Sequence, residues 1–421
     1  MPSSEPSDPS DCTRATVRGA MVSYSRLMFR TACRRSPILL AVVGCVSVTT
    51  LAPAATAALR TQAPSTLVVP SPVPDVAPGT LLSSSLSPTP GPAGSNQYQV
   101  LYASRNAQGQ PIAVSGFALI PTGAAPKGGW PVLSYAHGTV GLADRCAPSR
   151  KVGPVEQLLG LGFVPRGIAV VATDYEGLGT PGRHPYIVGQ SEGRSVLDIV
   201  KASRQLPGEA VSNRFAVWGH SQGGHAALFA GQLAPTWAPG LKLVGVVAGA
   251  PPSQLLDVST ALSTSPSRGF LFMVAAGLNA ADPTLNLDDV LTPKAQALLP
   301  IIDTGCNAEV FRAFSADPLN TLLTPGGLST GAWAAAVAAN EPGRVRIAAP
   351  VLIVHGDRDE VIPVATSAKL LSTMCSTKTR VQRKIYPGQD HSGAAVASFF
   401  DVSVWLTARF AGLVAPTSCR R

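Results

Sequence analysis

The chain has 421 residues, 45% of them apolar and 14% charged, enough for two to three domains of about 150 residues each. Its 38 prolines and 40 glycines stay below the ~25–30% at which low-complexity disorder becomes the better reading, and a single long apolar run excludes a polytopic membrane protein. The net charge is +9, of which six arginines and three acids put +3 into residues 1–57; the rest is scattered without a basic stripe, which excludes a nucleic-acid binder and leaves a role in solubility or attraction to acidic surfaces.

In chain order, residues 37–59 are uncharged, follow Arg34 and Arg35, and end in small residues. This pattern predicts an export signal over 1–57 cleaved near Ala57, with translation from Met21 or Met28 as an alternative start. An uncleaved anchor and a lipoprotein, from the box ending at Cys45, compete with cleavage. The Pro- and Ser-rich stretch 58–95 reads as an extended arm rather than an element. Four cysteines remain beyond the leader, Cys146, Cys306, Cys375 and Cys419. In an exported chain they predict two disulfides, with three connectivities open. No clustered His/Cys set suggests a metal, and no cofactor motif is present.

The body, 96–421, opens with a predicted antiparallel hairpin, Tyr98–Ser104 and Ile112–Ile120, around the turn NAQGQP. Six short strands follow, PVLSYAHG, GIAVVATD, RFAVWGHS, LKLVGVVAGA, APVLIVHGD and RVQRKIYPG. They are apolar on both faces and alternate with helical stretches at Glu192–Leu206, Gln222–Leu233, Pro363–Met374 and Ala394–Phe410. That rhythm predicts an α/β fold with a mostly parallel sheet covered on both faces. It stops over about 252–345, where irregular helical patterning predicts a cap insertion, a structureless loop of that length being improbable.

Three segments match G-x-S-x-G, centred on Ser191, Ser221 and Ser329. The motif works only where a strand runs straight into a strained turn and then a helix, with tiny neighbours that leave the hydroxyl clear. Ser221 has that context: the strand Phe215–Trp218, the glycines Gly219, Gly223 and Gly224, and the helix from His225. Ser191 reads as a helix-start serine, and Ser329 lies in a Gly/Pro-rich loop.

A serine hydroxyl needs an imidazole to take its proton and a carboxylate to orient that imidazole. On such an elbow the chain order is serine, acid, histidine. Of six histidines, His137 and His184 precede the serine, His220 adjoins it, His225 reads as a helix-packing residue, and His355 comes before any candidate acid. His391 remains, in a loop between the last strand and the last helix. Asp357 and Asp359 both follow the strand ending at His355, and spacing alone does not separate them. Backbone N–H groups of Gln222, after the serine, and of Thr139, in the loop after PVLSY, are the expected oxyanion donors.

With these pieces in order, the chain resembles an α/β-hydrolase, and more narrowly the secretory lipase family of fungal lipase A-type enzymes and their actinobacterial relatives. The segments that carry the likeness are YAHGTVG, DYEGLGTPGRHPYIVGQSEGRSVLD, GHSQGGHAA, HGDRDEVIP and DHSG, and it extends over roughly 78–412. The resemblance implies Ser221 as nucleophile, Asp359 as acid and His391 as base, a helical cap, and disulfides Cys146–Cys306 and Cys375–Cys419. It implies a secreted lipase or carboxylesterase with a lipid ester as substrate, transient contact with a lipid–water interface, and an acyl-serine intermediate. Apolar cap stretches such as Gly269–Val274 are candidates to line an acyl channel or to pack on the sheet. An acyltransferase or amidase on the same triad, and a non-catalytic surface binding protein, are the rival readings.

Overall fold

The computed structural model describes residues 67–87 and 91–420. The leader expected over 1–57 lies outside them. Nine strands form one sheet in the order β1-β2-β3-β5-β4-β6-β7-β8-β9. β1 (Leu81–Leu86), β2 (Ser95–Arg105) and β3 (Pro111–Pro121) are antiparallel to their neighbours. β4 (Trp130–Ala136), β5 (Ala169–Thr173), β6 (Val211–His220), β7 (Lys242–Gly249), β8 (Val351–Gly356) and β9 (Val381–Tyr386) run parallel. The expected arm is thus corrected at its end: Leu81–Leu86 pairs with Tyr98–Tyr102 and extends the sheet. Its sequence LLSSSL carries too little apolar alternation to signal an edge strand.

Period-2 geometry sends alternate side chains to opposite faces. On β6, Phe215 and Val217 join the core under α2 (Gly189–Ser203) and α3 (Gln222–Trp237), whereas Ala216 and Trp218 join the core under α1 (Pro154–Phe163) and the C-terminal helices. The central strands are apolar on both sides because both sides are covered. Helix α10 (Val364–Ser376) links β8 to β9, and the single last helix expected at 394–410 is two, α11 (His391–Ala397) and α12 (Phe399–Phe410). The two meet at Ser398, which closes one helix through its N–H to Ala394 O and opens the next by accepting from Val402 N–H.

The insertion between β7 and β8 holds six helices: α4 (Leu255–Ser263), α5 (Gly269–Ala281), α6 (Pro293–Leu298), α7 (Pro300–Thr304), α8 (Asn307–Ser315) and α9 (Gly331–Ala339). They enclose a core of their own, centred on Phe272 stacked on Phe314 at 4.0 Å. A disulfide, Cys146–Cys306, fastens this cap to the loop after β4, and Cys375–Cys419 fastens the C-terminal tail to α10.

Candidate active site

The carboxyl ends of β4, β6, β8 and β9 and the turns after them build the site. Ser221 stands between β6 and α3 at φ +58°, a conformation that an L-residue adopts at a cost of about 1–3 kcal/mol unless its surroundings impose it. The surroundings do so. A Cβ on Gly219 would collide with the Gly223 carbonyl, and one on Gly223 with the Ala136 carbonyl. The Ser221 N–H donates to Gly249 O at 2.8 Å.

His391 opens α11 beneath the N-cap Asp390, whose side chain accepts from Gly393 N–H. Its main-chain N–H is held by Glu360 at 3.1 Å. Its Nε2 lies 2.9 Å from Ser221 Oγ and its Nδ1 2.8 Å from Asp359 Oδ2. Three segments 170 and 32 residues apart thereby meet in one line of hydrogen-bonding atoms.

The Asp359 side chain is buried and surrounded by donors. Oδ1 accepts from Val361 N–H at 2.9 Å and Ile362 N–H at 2.7 Å, and Oδ2 faces His355 Nε2 at 3.1 Å as well as His391. Burial alone would raise this carboxyl; the hydrogen bonds from His355, His391 and Ile362 outweigh it and hold the group well below the usual carboxylate range. Asp357, the other aspartate of the turn, accepts from Gly388 N–H at 2.6 Å and braces the His391 loop instead.

Gln222 is the first residue of α3, so its N–H has no carbonyl one turn back to bond and is a free donor at the helix N-terminus. The loop carrying Thr139 runs alongside: a Cβ on Gly138 would sit 3.8 Å from Ser221 Cβ. Thr139 itself is anchored by its side chain to Tyr186 at 2.8 Å and by its carbonyl to Asn307.

Ser221 opens onto a narrow apolar cavity of about 560 Å³, counting its mouth, walled by Leu255, Val258, Phe270, Leu271, Val274 and Ile362 among others. The stretch 269–274 therefore divides. Phe270, Leu271 and Val274 face the cavity, while Phe272 and Met273 are buried in the cap core. Neither other G-x-S-x-G serine faces it: Ser191 lies in the first turn of α2 and donates to Glu176, and Ser329 closes a short 3-10 turn on the cap. Among the described residues no group of three or more His, Cys, Asp or Glu is arranged to hold a metal.

Known proteins share this arrangement of chain. The secretory lipase family model matches residues 154–417. The chain belongs to the secretory lipase family. This secretory lipase is 26% identical over 323 residues to Lipase A of Moesziomyces aphidis, covering 71% of the chain and 69% of that protein. It is 26% identical over 336 residues to a probable inactive lipase of Mycobacterium tuberculosis, covering 75% and 73%. Its fold superposes on the crystal structure of Candida antarctica lipase A with a TM-score of 0.71 at 24% identity, over 82% of the chain and 84% of that one. A rice cell wall degrading esterase from Xanthomonas oryzae follows at 0.65 and 19%, over 80% and 98%. The fold is accordingly that of the α/β-hydrolases, as expected, and the protein is a lipase-like hydrolase. Membership of a secretory family makes it an exported one. No helix among the described residues is long and apolar enough to cross a membrane.

Sequence reasoning missed a polar network behind Ser221, made by Glu192, His184, Gln222 and His225. Its one legible signal is a glutamate and a histidine placed in stretches that otherwise read as buried helix.

Proposed function

We propose that this protein hydrolyses lipid esters as a lipase or carboxylesterase through an acyl-serine intermediate. The observation that carries the reading is the unbroken hydrogen-bonded line from Ser221 through His391 to Asp359, ending on an apolar cavity. In this reading Ser221 Oγ attacks the ester carbonyl carbon as His391 Nε2 takes its proton, and Asp359 stabilises the imidazolium that results. The carbonyl oxygen becomes an oxyanion held by the N–H groups of Gln222 and Thr139. Collapse breaks the ester C–O bond, and His391 returns the proton to the departing alcohol. Water repeats the sequence on the acyl-serine and releases the fatty acid.

In this reading the acyl chain enters the cavity between α4, α5 and the turn after β8, whose walls are almost entirely hydrocarbon. Each methylene buried there contributes about 0.8 kcal/mol, close to fourfold in kcat/KM, until the cavity is full. A relative bears the name of an inactive lipase, but here His391 stands within hydrogen-bonding distance of both Ser221 and Asp359, which favours activity. The test is hydrolysis of p-nitrophenyl esters from acetate to palmitate by the purified protein beside S221A. Activity that lengthens with the acyl chain and vanishes in S221A supports the reading. Equal rates for the two proteins, or turnover confined to an anilide or to added alcohol, overturn it in favour of another mechanism, an amidase or an acyltransferase.

A further inference from the structure

One of the two G-x-S-x-G segments that do not carry the proposed nucleophile, residues 189–193, supplies a buried carboxylate that touches three parts of the site. Glu192 is fully buried on α2. Its Oε1 accepts from Gln222 Nε2 at 2.9 Å and from Ile187 N–H at 3.0 Å. Its Oε2 faces His225 Nδ1 at 2.9 Å, and His225 Nε2 faces the Asn340 carbonyl, just past α9 in the cap, at 2.8 Å. Gln222 follows the nucleophile, while Ile187 and Asn340 line the cavity.

The donors and acceptors of this network can all be paired. His184 Nδ1 faces the Glu176 carbonyl at 2.8 Å and so carries the proton, leaving Nε2 to accept from Gln222 Nε2 at 2.7 Å. Burial keeps this ring neutral, with its pKa drawn down to about 4. Gln222 thus spends both amide hydrogens, one on His184 and one on Glu192. Both nitrogens of His225 face acceptors, so one proton lies between Nδ1 and Glu192 Oε2 and another on Nε2 toward the Asn340 carbonyl. Burial would raise Glu192, but the bonds from His225, and the His184 and Gln222 contacts, pull it the other way. Ile187 is a β-branched residue at φ +61°, a backbone state that persists only where neighbours impose it, and the carboxylate holds its N–H.

We infer that Glu192 is a positioning residue for the reaction: its carboxylate fixes the first turn of α3, whose Gln222 N–H holds the oxyanion, and through Ile187 and His225 it locks that turn to both walls of the acyl cavity. It touches no substrate. The inference rests on the acyl-serine reading of Ser221. An error of the order of 1 Å in such a constellation costs up to about 100-fold in rate, so removing the brace lowers kcat, and it lowers kcat/KM most for long acyl chains, which use the cavity.

The experiment compares E192A, E192Q and Q222M with wild type. Rates are divided by the serine titrated with an alkyl p-nitrophenyl phosphonate, so that loss of folded protein does not count. E192A is expected to lose roughly 10- to 100-fold in kcat per titrated serine, more on laurate than on acetate esters. E192Q recovers most of that loss, because His225 can release its Nδ1 proton and accept from the new amide while still donating to Asn340. Q222M keeps the backbone N–H but removes both side-chain bonds, and falls in kcat without a matching rise in KM. Wild-type kcat per titrated serine in E192A overturns the inference, as does E192Q falling as far as E192A. If E192A yields no titratable protein, Q222M decides in the same way, a wild-type value overturning. Wild type that neither reacts with the phosphonate nor hydrolyses any ester overturns the acyl-serine reading itself, an outcome visible without any Glu192 variant.

Discussion

Replacing Asp359 by asparagine changes one atom and tests the logic of the whole line. Oδ1 already accepts from two main-chain N–H groups, of Val361 and Ile362, so the asparagine keeps its carbonyl oxygen there and turns its NH2 toward His391. The imidazole can meet an NH2 only with an unprotonated Nδ1, so its single proton moves to Nε2, 2.9 Å from Ser221 Oγ. That ring donates to the nucleophile and cannot take its proton. The loss expected for such a tautomer error is roughly 10⁴-fold in kcat, about 5.5 kcal/mol of transition-state stabilisation. The control is D357N, which loosens only the bond to Gly388 N–H and should stay within about tenfold of wild type. The assay is p-nitrophenyl butyrate hydrolysis, with circular dichroism to verify folding. A D359N protein that is folded and within tenfold of wild type, or a D357N protein that is the worse of the two, refutes the assignment of Asp359.

Acid should weaken the fold. Burial foremost lowers His184 to about 4 and His220 to about 3, so both are neutral when folded while the unfolded chain takes up protons near pH 6.5. Their stability is complete above that pH and is lost as pH falls toward 4, about 3 kcal/mol for His184 alone; thermal melts at pH 7.5 and 5 should show a falling Tm, and a rise contradicts it. Glu176 has the opposite sign: burial raises it to about 7, so its protonated form suits the fold and stability declines as pH climbs from about 4.5 through 7. E176Q should therefore raise Tm at pH 8.5 more than at pH 5. The disulfides close loops of 160 and 44 residues, worth up to about 5 and 4 kcal/mol by chain entropy, so C146S/C306S should lower Tm more than C375S/C419S; the reverse order would show that loop length does not set their effect. V274W fills part of the cavity wall and should lower the preferred acyl length while sparing acetate esters, a uniform loss across chain lengths counting against the cavity as the acyl site.

The sequence made the sheet legible wherever its strands are covered on both faces, since continuous apolar runs such as VLIVHG have no other stable setting. The elbow was legible because its mechanics demand glycine at 219 and 223, and the structure shows carbonyl groups occupying the space a side chain would need. The choice between Asp357 and Asp359 was not, because two residues along the same turn differ only in whether they face inward, which spacing does not encode. The break at Ser398 escaped for a related reason: serine is compatible with a helix interior, and Ser398 itself keeps near-helical backbone angles, φ −81° and ψ −13°. Six cap helices could be foreseen only as a helical region, since α5 and α9 are apolar nearly all round and α6 and α7 are 6 and 5 residues long, too short to show a period. The Glu192 network joins Gln222 to Glu192 across 30 positions and Asn340 to His225 across 115, and no local pattern announces a contact of that range.

The most direct measurement is mass spectrometry of the protein after exposure to an alkyl p-nitrophenyl phosphonate. One adduct per chain is predicted, on the peptide that contains Ser221, with activity lost in proportion to labelling. No adduct, or an adduct on Ser191 or Ser329 while hydrolysis continues, would contradict the claim that Ser221 is the nucleophile.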